Sequence, residues 1–191
     1  MNPAYRLADF IADLELVTAV ALSDEERIRR IQRKLKLLLA GGDPALDDPG
    51  RVPQTERYGR YLLHEDPRGR FVVVQLVWGP GQGTPIHDHS TWGVAGIAAN
   101  ELRIVNYDRL DDGSTPGRAE LRESSAIEAP ARTVTYIQPP NDVIHAISNP
   151  SDHVSRSIHV YGKSVVACNQ FDLDKRTVLP WSLAYDKPCA C

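Results

Sequence analysis

The chain has 191 residues, 42% of them hydrophobic and 25% charged, the make-up of one globular domain whose core needs no staples. A formal net charge of -3 builds no field that would recruit nucleic acid or an anionic membrane. Apolar runs such as Phe71 to Val74 are too short to span a bilayer, and acidic residues interrupt the N-terminal MNPAYRLADFIADLE where a signal peptide needs an apolar stretch, so a cytoplasmic protein is expected.

The first predicted element is a helix, because Leu7, Phe10, Ile11 and Leu14 recur at helical spacing. A second helix starts at a capping box, with Ser23 as N-cap and Glu26 three residues on. Its apolar stripe is Ile28, Ile31, Leu35, Leu38 and Leu39, and Gly41-Gly42 ends it. The basic residues Arg33, Lys34 and Lys36 suit the C-terminal half of the helix dipole and read as a solvated face. Pro44, Pro49 and Pro53 mark an irregular connection. From Tyr58 onward short β runs alternate with turns: YGRYLLHE, RFVVVQLVWG, HSTWGVAGIA, ELRIVNYDRL, ARTVTYIQ, VIHAIS and SRSIHVYG. Many short strands at this spacing predict a sandwich or barrel. Helical spacing is not expected again before the last few residues. The chain therefore reads as one domain over 1–191, with helices in 1–42, a β core over 58–170 and a C-terminal extension over 171–191.

Cysteine is scarce and odd in number: Cys168, Cys189 and Cys191. No disulfide framework is expected, and the Cys189-Ala190-Cys191 tail reads as an exposed end rather than a metal trap. Histidine is more informative. In Pro85-Ile86-His87-Asp88-His89 strand alternation points His87 and His89 to one side, with Asp88 on the other. Two imidazoles side by side make half of a metal site, and His145 on a later strand offers a third. The competing reading is three unrelated histidines satisfied by backbone hydrogen bonds. Ser157, His159 and Tyr161 also share one face of a strand, with Ile158 and Val160 on the other. An ordinary half-buried strand would put the aliphatics inside and this polar row in water. The alternative is a relay in which serine sets the imidazole tautomer and the imidazole holds the phenol as a donor toward a ligand. No Gly-x-Ser-x-Gly turn supports a hydrolase. Trp78, Trp92 and Trp181 are expected in the core or the pocket wall.

These pieces resemble a known group. Gly81-(five residues)-His87-x-His89 resembles the first cupin motif, and Pro140 to His145-(three residues)-Asn149 resembles the second. The glutamate ligand common in cupins is missing: its positions are Gly93 and Val94, and no acid occurs before Glu101. The second motif has Asp142 where glycine is usual. A three-histidine set with a Ser-x-His-x-Tyr row is similar to the cysteine dioxygenase group of thiol dioxygenases, and VWGPGQGTPIHDHSTWGVAG and SIHVYG resemble its bacterial members. The resemblance runs from about Tyr58 to Gly162.

It implies a mostly β cupin barrel (double-stranded β-helix, jelly-roll-like) with two N-terminal α-helices packed on it. It implies Fe(II) on His87, His89 and His145, with small thiol and O2 as partners and both oxygen atoms ending on sulfur as a sulfinate. Three neutral imidazoles leave the full dipositive charge on the metal, with positions open to a thiolate. Ser157, His159 and Tyr161 would then be the catalytic row. Tyr161 is expected to carry no thioether, because Gly93 and Val94 stand where animal relatives have a cysteine. Arg60, on one face with Tyr58, is the candidate for the substrate carboxylate, through two parallel bonds; a surface salt bridge is its other reading. An arginine there resembles the cysteine-using branch. The mercaptopropionate-using branch has another arginine soon after the row, whereas Val165 to Gln170 has none before Arg176. L-cysteine is thus the expected substrate, with 3-mercaptopropionate or mercaptosuccinate as alternatives, and a metal-dependent isomerase or a ligand-binding cupin as readings of other classes. A monomer or weak homodimer without nucleic-acid or membrane partners is expected.

Overall fold

The computed structural model describes residues 4–140 and 144–189. Helix α1 (Leu7–Thr18) and helix α2 (Asp24–Gly41) come first, followed by a single 3-10 turn at Pro44–Leu46. Eleven strands follow: β1 (Gly59–Glu65), β2 (Val72–Trp78), β3 (Ile86–His87), β4 (Gly93–Ala99), β5 (Glu101–Arg109), β6 (Leu121–Pro130), β7 (Val134–Ile137), β8 (His145–Ser148), β9 (Ser155–Tyr161), β10 (Ala167–Asp172) and β11 (Thr177–Ser182). They form two antiparallel sheets, ordered β1-β2-β9-β4-β7 and β11-β10-β3-β8-β5-β6. This is the double-stranded β-helix barrel with two N-terminal helices that the resemblance implied. Among the described residues no helix is long and apolar enough to cross a membrane.

Helix α2 forms where its sequence places it. Ser23 Oγ accepts the Glu26 N–H at 3.3 Å, while the Glu26 carboxylate turns instead to Arg29 and Arg30. The capping box is therefore half made. At the other end Gly42 takes φ 60° and ψ 49°, a left-handed cap that a Cβ would strain. The predicted stripe of Ile28, Ile31, Leu35, Leu38 and Leu39 is buried. It packs with Phe10 and Leu14 of α1 on Phe71, Val73, Val94, Ile158 and Val160. Each fully buried aliphatic there contributes about 1.5–3 kcal/mol. Contact with the sheet is close because Gly96 lacks a Cβ, which would lie 2.7 Å from Leu39 and 2.9 Å from Leu35.

The helices cover one face of the first sheet, and the barrel interior covers the other. Every residue of β2 is consequently buried, and the strand reads as a continuous run rather than an alternation. Its one amide, Gln75, is fully buried and satisfied, donating to Leu46 O at 2.6 Å and accepting from Arg51 at 2.5 Å. The same double burial decides the two readings of β9. Ile158 and Val160 lie under the helices, so Ser157, His159 and Tyr161 face the barrel interior and not water; they are 0%, 3% and 9% exposed.

Four strands differ from the sequence expectations. Strand β6 lies in LRESSAIEAP and is exposed along all but Leu121 and Ala129, so it carries no apolar pattern to read. Strands β10 and β11 extend the second sheet to Ser182, past residue 170, and among the described residues no helix follows. Strand β3 has only two residues, and His89 lies beyond its end.

Candidate metal centre and substrate cavity

His87, His89 and His145 come together although β3 is short. His87 pairs directly with His145 across β3 and β8. Beyond His87 the chain stays against β10, where Asp88 N–H donates to Asn169 O at 3.2 Å and the Asp88 carboxylate accepts from the Asn169 N–H and Nδ2 at 2.8 Å each. Asp88 is thus turned outward, as alternation predicts, and holds His89 inward. The three ring centroids form a near-equilateral triangle with sides of 4.9, 4.7 and 5.1 Å. One ring nitrogen from each lies within 4.8 Å of the others.

The donor chemistry fits a metal ion. Pro85 O can only accept, so the 3.0 Å contact from His87 Nδ1 places the proton on Nδ1 and leaves the Nε2 lone pair free. His89 Nε2 and His145 Nε2 are 3.2 Å apart. Two nitrogens each about 2.0–2.1 Å from one ion, at an angle near or slightly above 90°, stand roughly 3 Å apart. Burial pushes His87 down to about 4. It also holds His89 and His145 well below the usual imidazole range, reinforced by the neighbouring histidines. All three are neutral near pH 7, as ligands must be. The reading of three unrelated, backbone-satisfied histidines fails on this convergence. Of the second motif, Asn141, Asp142 and Val143 lie outside the described residues.

The polar row of β9 is one continuous hydrogen-bonded chain. Ser157 Oγ is 2.8 Å from His159 Nε2, and His159 Nδ1 is 3.1 Å from Tyr161 OH. Trp78 Nε1–H donates to Ser157 Oγ at 3.0 Å. An indole N–H is a donor only. That bond takes one of the two Ser157 lone pairs; in the His159 tautomer that carries its proton on Nδ1, Ser157 donates to Nε2, His159 donates to the Tyr161 oxygen, and the Tyr161 hydrogen is free for a ligand. Burial lowers His159 to about 3, with the Arg60 charge acting the same way. Burial raises Tyr161 above the usual phenol range. The imidazole is neutral and the phenol protonated, as this wiring requires. Tyr161 stacks on His89 at 5.4 Å. Its cross-strand neighbour in β4 is Gly93, where a Cβ would lie 2.9 Å from the Tyr161 ring.

Arg60 enters the same cavity. It is 4% exposed, so it makes no surface salt bridge. Its Nη2 donates to Val165 O at 2.5 Å, and Nη1 is buried without a hydrogen-bond partner among the described residues. A buried guanidinium nitrogen with no acceptor is costly unless a ligand supplies one. Tyr58 lines the cavity with Arg60, as do Trp181 and Leu183. Burial pushes Tyr58 up to about 12, and its ring stacks on Trp78 at 4.4 Å. Trp181 presents its edge to His87 at 5.5 Å. Arg176 pairs with Glu120 at 3.6 Å on the surface. Sequence reasoning placed Trp78 in the core or the wall without its hydrogen bond, and did not find Val165 O or Leu183. The only signal for Trp78 was its place at the end of a buried strand.

Comparison with known proteins adds the following. Residues 52–174, more than half of the chain, match the family described as cysteine dioxygenase type I. The chain is 30% identical over 125 residues to "Cysteine dioxygenase type 1" of Danio rerio, a match covering 61% of this chain and 56% of that protein. It thus spans little more than half the length of that curated relative. Among solved structures, an rmlc-like cupin protein from Desulfovibrio desulfuricans is 20% identical with a TM-score of 0.42, covering 58% of this chain and 86% of its own. Oxalate oxidase in complex with the substrate analogue glycolate is 15% identical with a TM-score of 0.44, covering 58% and 53%.

Proposed function

Since the chain belongs to the cysteine dioxygenase type I family, we propose that it is an iron(II)-dependent thiol dioxygenase that converts L-cysteine to cysteine sulfinate. The observation that carries this reading is one cavity holding three convergent neutral histidines and a buried arginine with an unused donor. Neutral ligands suit a dication that must attract a thiolate, and the arginine suits a substrate carboxylate.

His87, His89 and His145 would hold the iron. When bound, iron(II) supplies the Lewis acidity that strips the thiol proton and the orbital path by which O2 reacts with sulfur. The balance is RSH + O2 → RSO2H: sulfur gives four electrons, dioxygen takes four, and no external reductant enters. Arg60 takes the carboxylate through Nη1 and fixes the amino acid in the cavity. Tyr161 directs its hydroxyl hydrogen into the cavity, held there by His159 and, through it, Ser157 and Trp78. Trp181, Leu183 and Val165 limit water around the reacting sulfur.

The test is O2 uptake by the iron(II)-loaded protein with L-cysteine, 3-mercaptopropionate and mercaptosuccinate, with sulfinate identified by mass. One O2 consumed per cysteine sulfinate is expected, with cysteine giving the highest kcat/KM. No sulfinate from any of the three would sink the dioxygenase reading and leave the isomerase and ligand-binding classes. His145→Ala is expected to lose bound iron and activity together; a variant that keeps both overturns the ligand assignment.

A further inference from the structure

The C-terminal segment, which the sequence left without a role, builds the socket of Arg60. Strand β1 is the outer strand of its sheet, so one row of its backbone groups faces away from β2 and needs partners. Asp186 supplies them at Arg60. Arg60 N–H donates to Asp186 Oδ2 at 2.8 Å, and Asp186 N–H donates to Arg60 O at 2.7 Å. Asp186 is itself gripped by the two Arg57 Nη nitrogens at 2.8 and 2.6 Å. One residue earlier, the Tyr185 ring lies against the Arg60 guanidinium at 4.3 Å from its centroid. The Tyr185 hydroxyl is 3.0 Å from Ser164 Oγ, and Leu183 N–H donates to Val166 O at 2.8 Å. The 164–166 stretch and the 183–186 segment therefore clamp the arginine between them.

These contacts restrict the guanidinium. Nη2 is held by Val165 O, one face is covered by Tyr185, and Nη1 is buried without a hydrogen-bond partner among the described residues. Without the ring the guanidinium plane can turn, and water reaches it. Either change weakens a carboxylate bond made in a dry site. We propose that Tyr185 is a positioning residue, acting through Arg60, that sets the affinity of the site for thiols bearing a carboxylate. The proposal rests on the dioxygenase reading above and deepens it.

Tyr185→Leu and Tyr185→Phe in the iron-loaded full chain test it, with L-cysteine and with cysteamine, which has the thiol and amine but no carboxylate. For Tyr185→Leu the KM for cysteine is expected to rise about tenfold, between the sizes of an exposed and a fully desolvated cation–π contact, with kcat within about twofold. Cysteamine kinetics are expected to change by less than about twofold. Tyr185→Phe keeps the ring face and is expected to stay within about threefold of wild type. An unchanged cysteine KM in Tyr185→Leu overturns the proposal, and so does an equal loss for both thiols. Melting curves of both variants separate misfolding from lost positioning, and a Tyr185→Phe that loses as much as Tyr185→Leu while folded shows that the ring face is not the agent. A wild type that oxidises no thiol sinks the function instead. The same variants are then read by calorimetric binding of cysteine against cysteamine without O2, and equal affinities in wild type and Tyr185→Leu overturn the positioning role.

Discussion

A tryptophan has one polar hydrogen and nothing that accepts, and in this barrel that hydrogen occupies one acceptor site at the head of a chain of three side chains. Trp78 takes one Ser157 lone pair, and with the His159 proton on Nδ1 Ser157 donates to the imidazole, the imidazole donates to Tyr161, and the phenol hydrogen is left free. Trp78→Phe keeps an aromatic ring beside Tyr58 but removes the donor and part of the buried volume. Both Ser157 lone pairs are then open, which favours acceptance from His159 Nε2–H and lets the phenol donate backward to Nδ1. The expected result is a fall in kcat of about tenfold or more with iron content unchanged, the scale of outer-shell losses around metal sites. O2 uptake alongside iron analysis checks it, and a full-rate variant would show that the direction of the chain does not matter. The histidine and Ser-His-Tyr spacings were legible in the sequence because strand alternation is a strict rule. The indole bond was not, because β2 and β9 pair in space and Trp78 and Ser157 are 79 positions apart.

Legibility of the elements followed how much apolar pattern each one buries. Helix α2 was readable to its caps because its stripe faces Phe71, Val94 and Val160 while its other face is charged. Strand β6 was invisible because eight of its ten residues are exposed and it is held through β5 by its backbone. Strand β9 was ambiguous because a polar row inside a barrel and a polar row in water look alike in one dimension, and only the helices laid over Ile158 and Val160 separate them. Those helices brace the sheet that carries the Ser-His-Tyr row, so their packing is expected to matter for stability before it matters for chemistry. Leu35 is fully buried and lies against Gly96. Leu35→Ala is expected to cost about 3 kcal/mol in urea unfolding, with the KM for cysteine unchanged at 25 °C. A loss below about 1 kcal/mol would mean that the helix rides on the barrel without bracing it.

At the scale of the whole molecule, the buried histidines couple the site to stability. His87 and His159 sit at about 4 and about 3, and His89 and His145 also lie below the ordinary 6.5. Between these values and 6.5 the unfolded chain binds more protons than the folded one, so stability rises with pH. The contribution is complete above about pH 6.5 and is lost as the pH falls toward the folded values. In metal-free protein the unfolding free energy, and the urea midpoint with it, is expected to fall from pH 7 to pH 5, the free energy by at most about 1.4 kcal/mol per pH unit per histidine, and His159→Gln is expected to flatten the slope. A midpoint level over that range would contradict the neutral, buried state of the four rings. The order of residues along the chain has a consequence for synthesis as well. The last of the three clustered histidines is His145, whereas the edge of β1 at Arg60 is closed only by Asp186, 126 positions after the arginine it holds. A growing polypeptide emerges N-terminus first, so the histidine cluster can assemble on a nascent chain that does not yet contain the clamp, and the arginine is the last part of the cavity to be set in place.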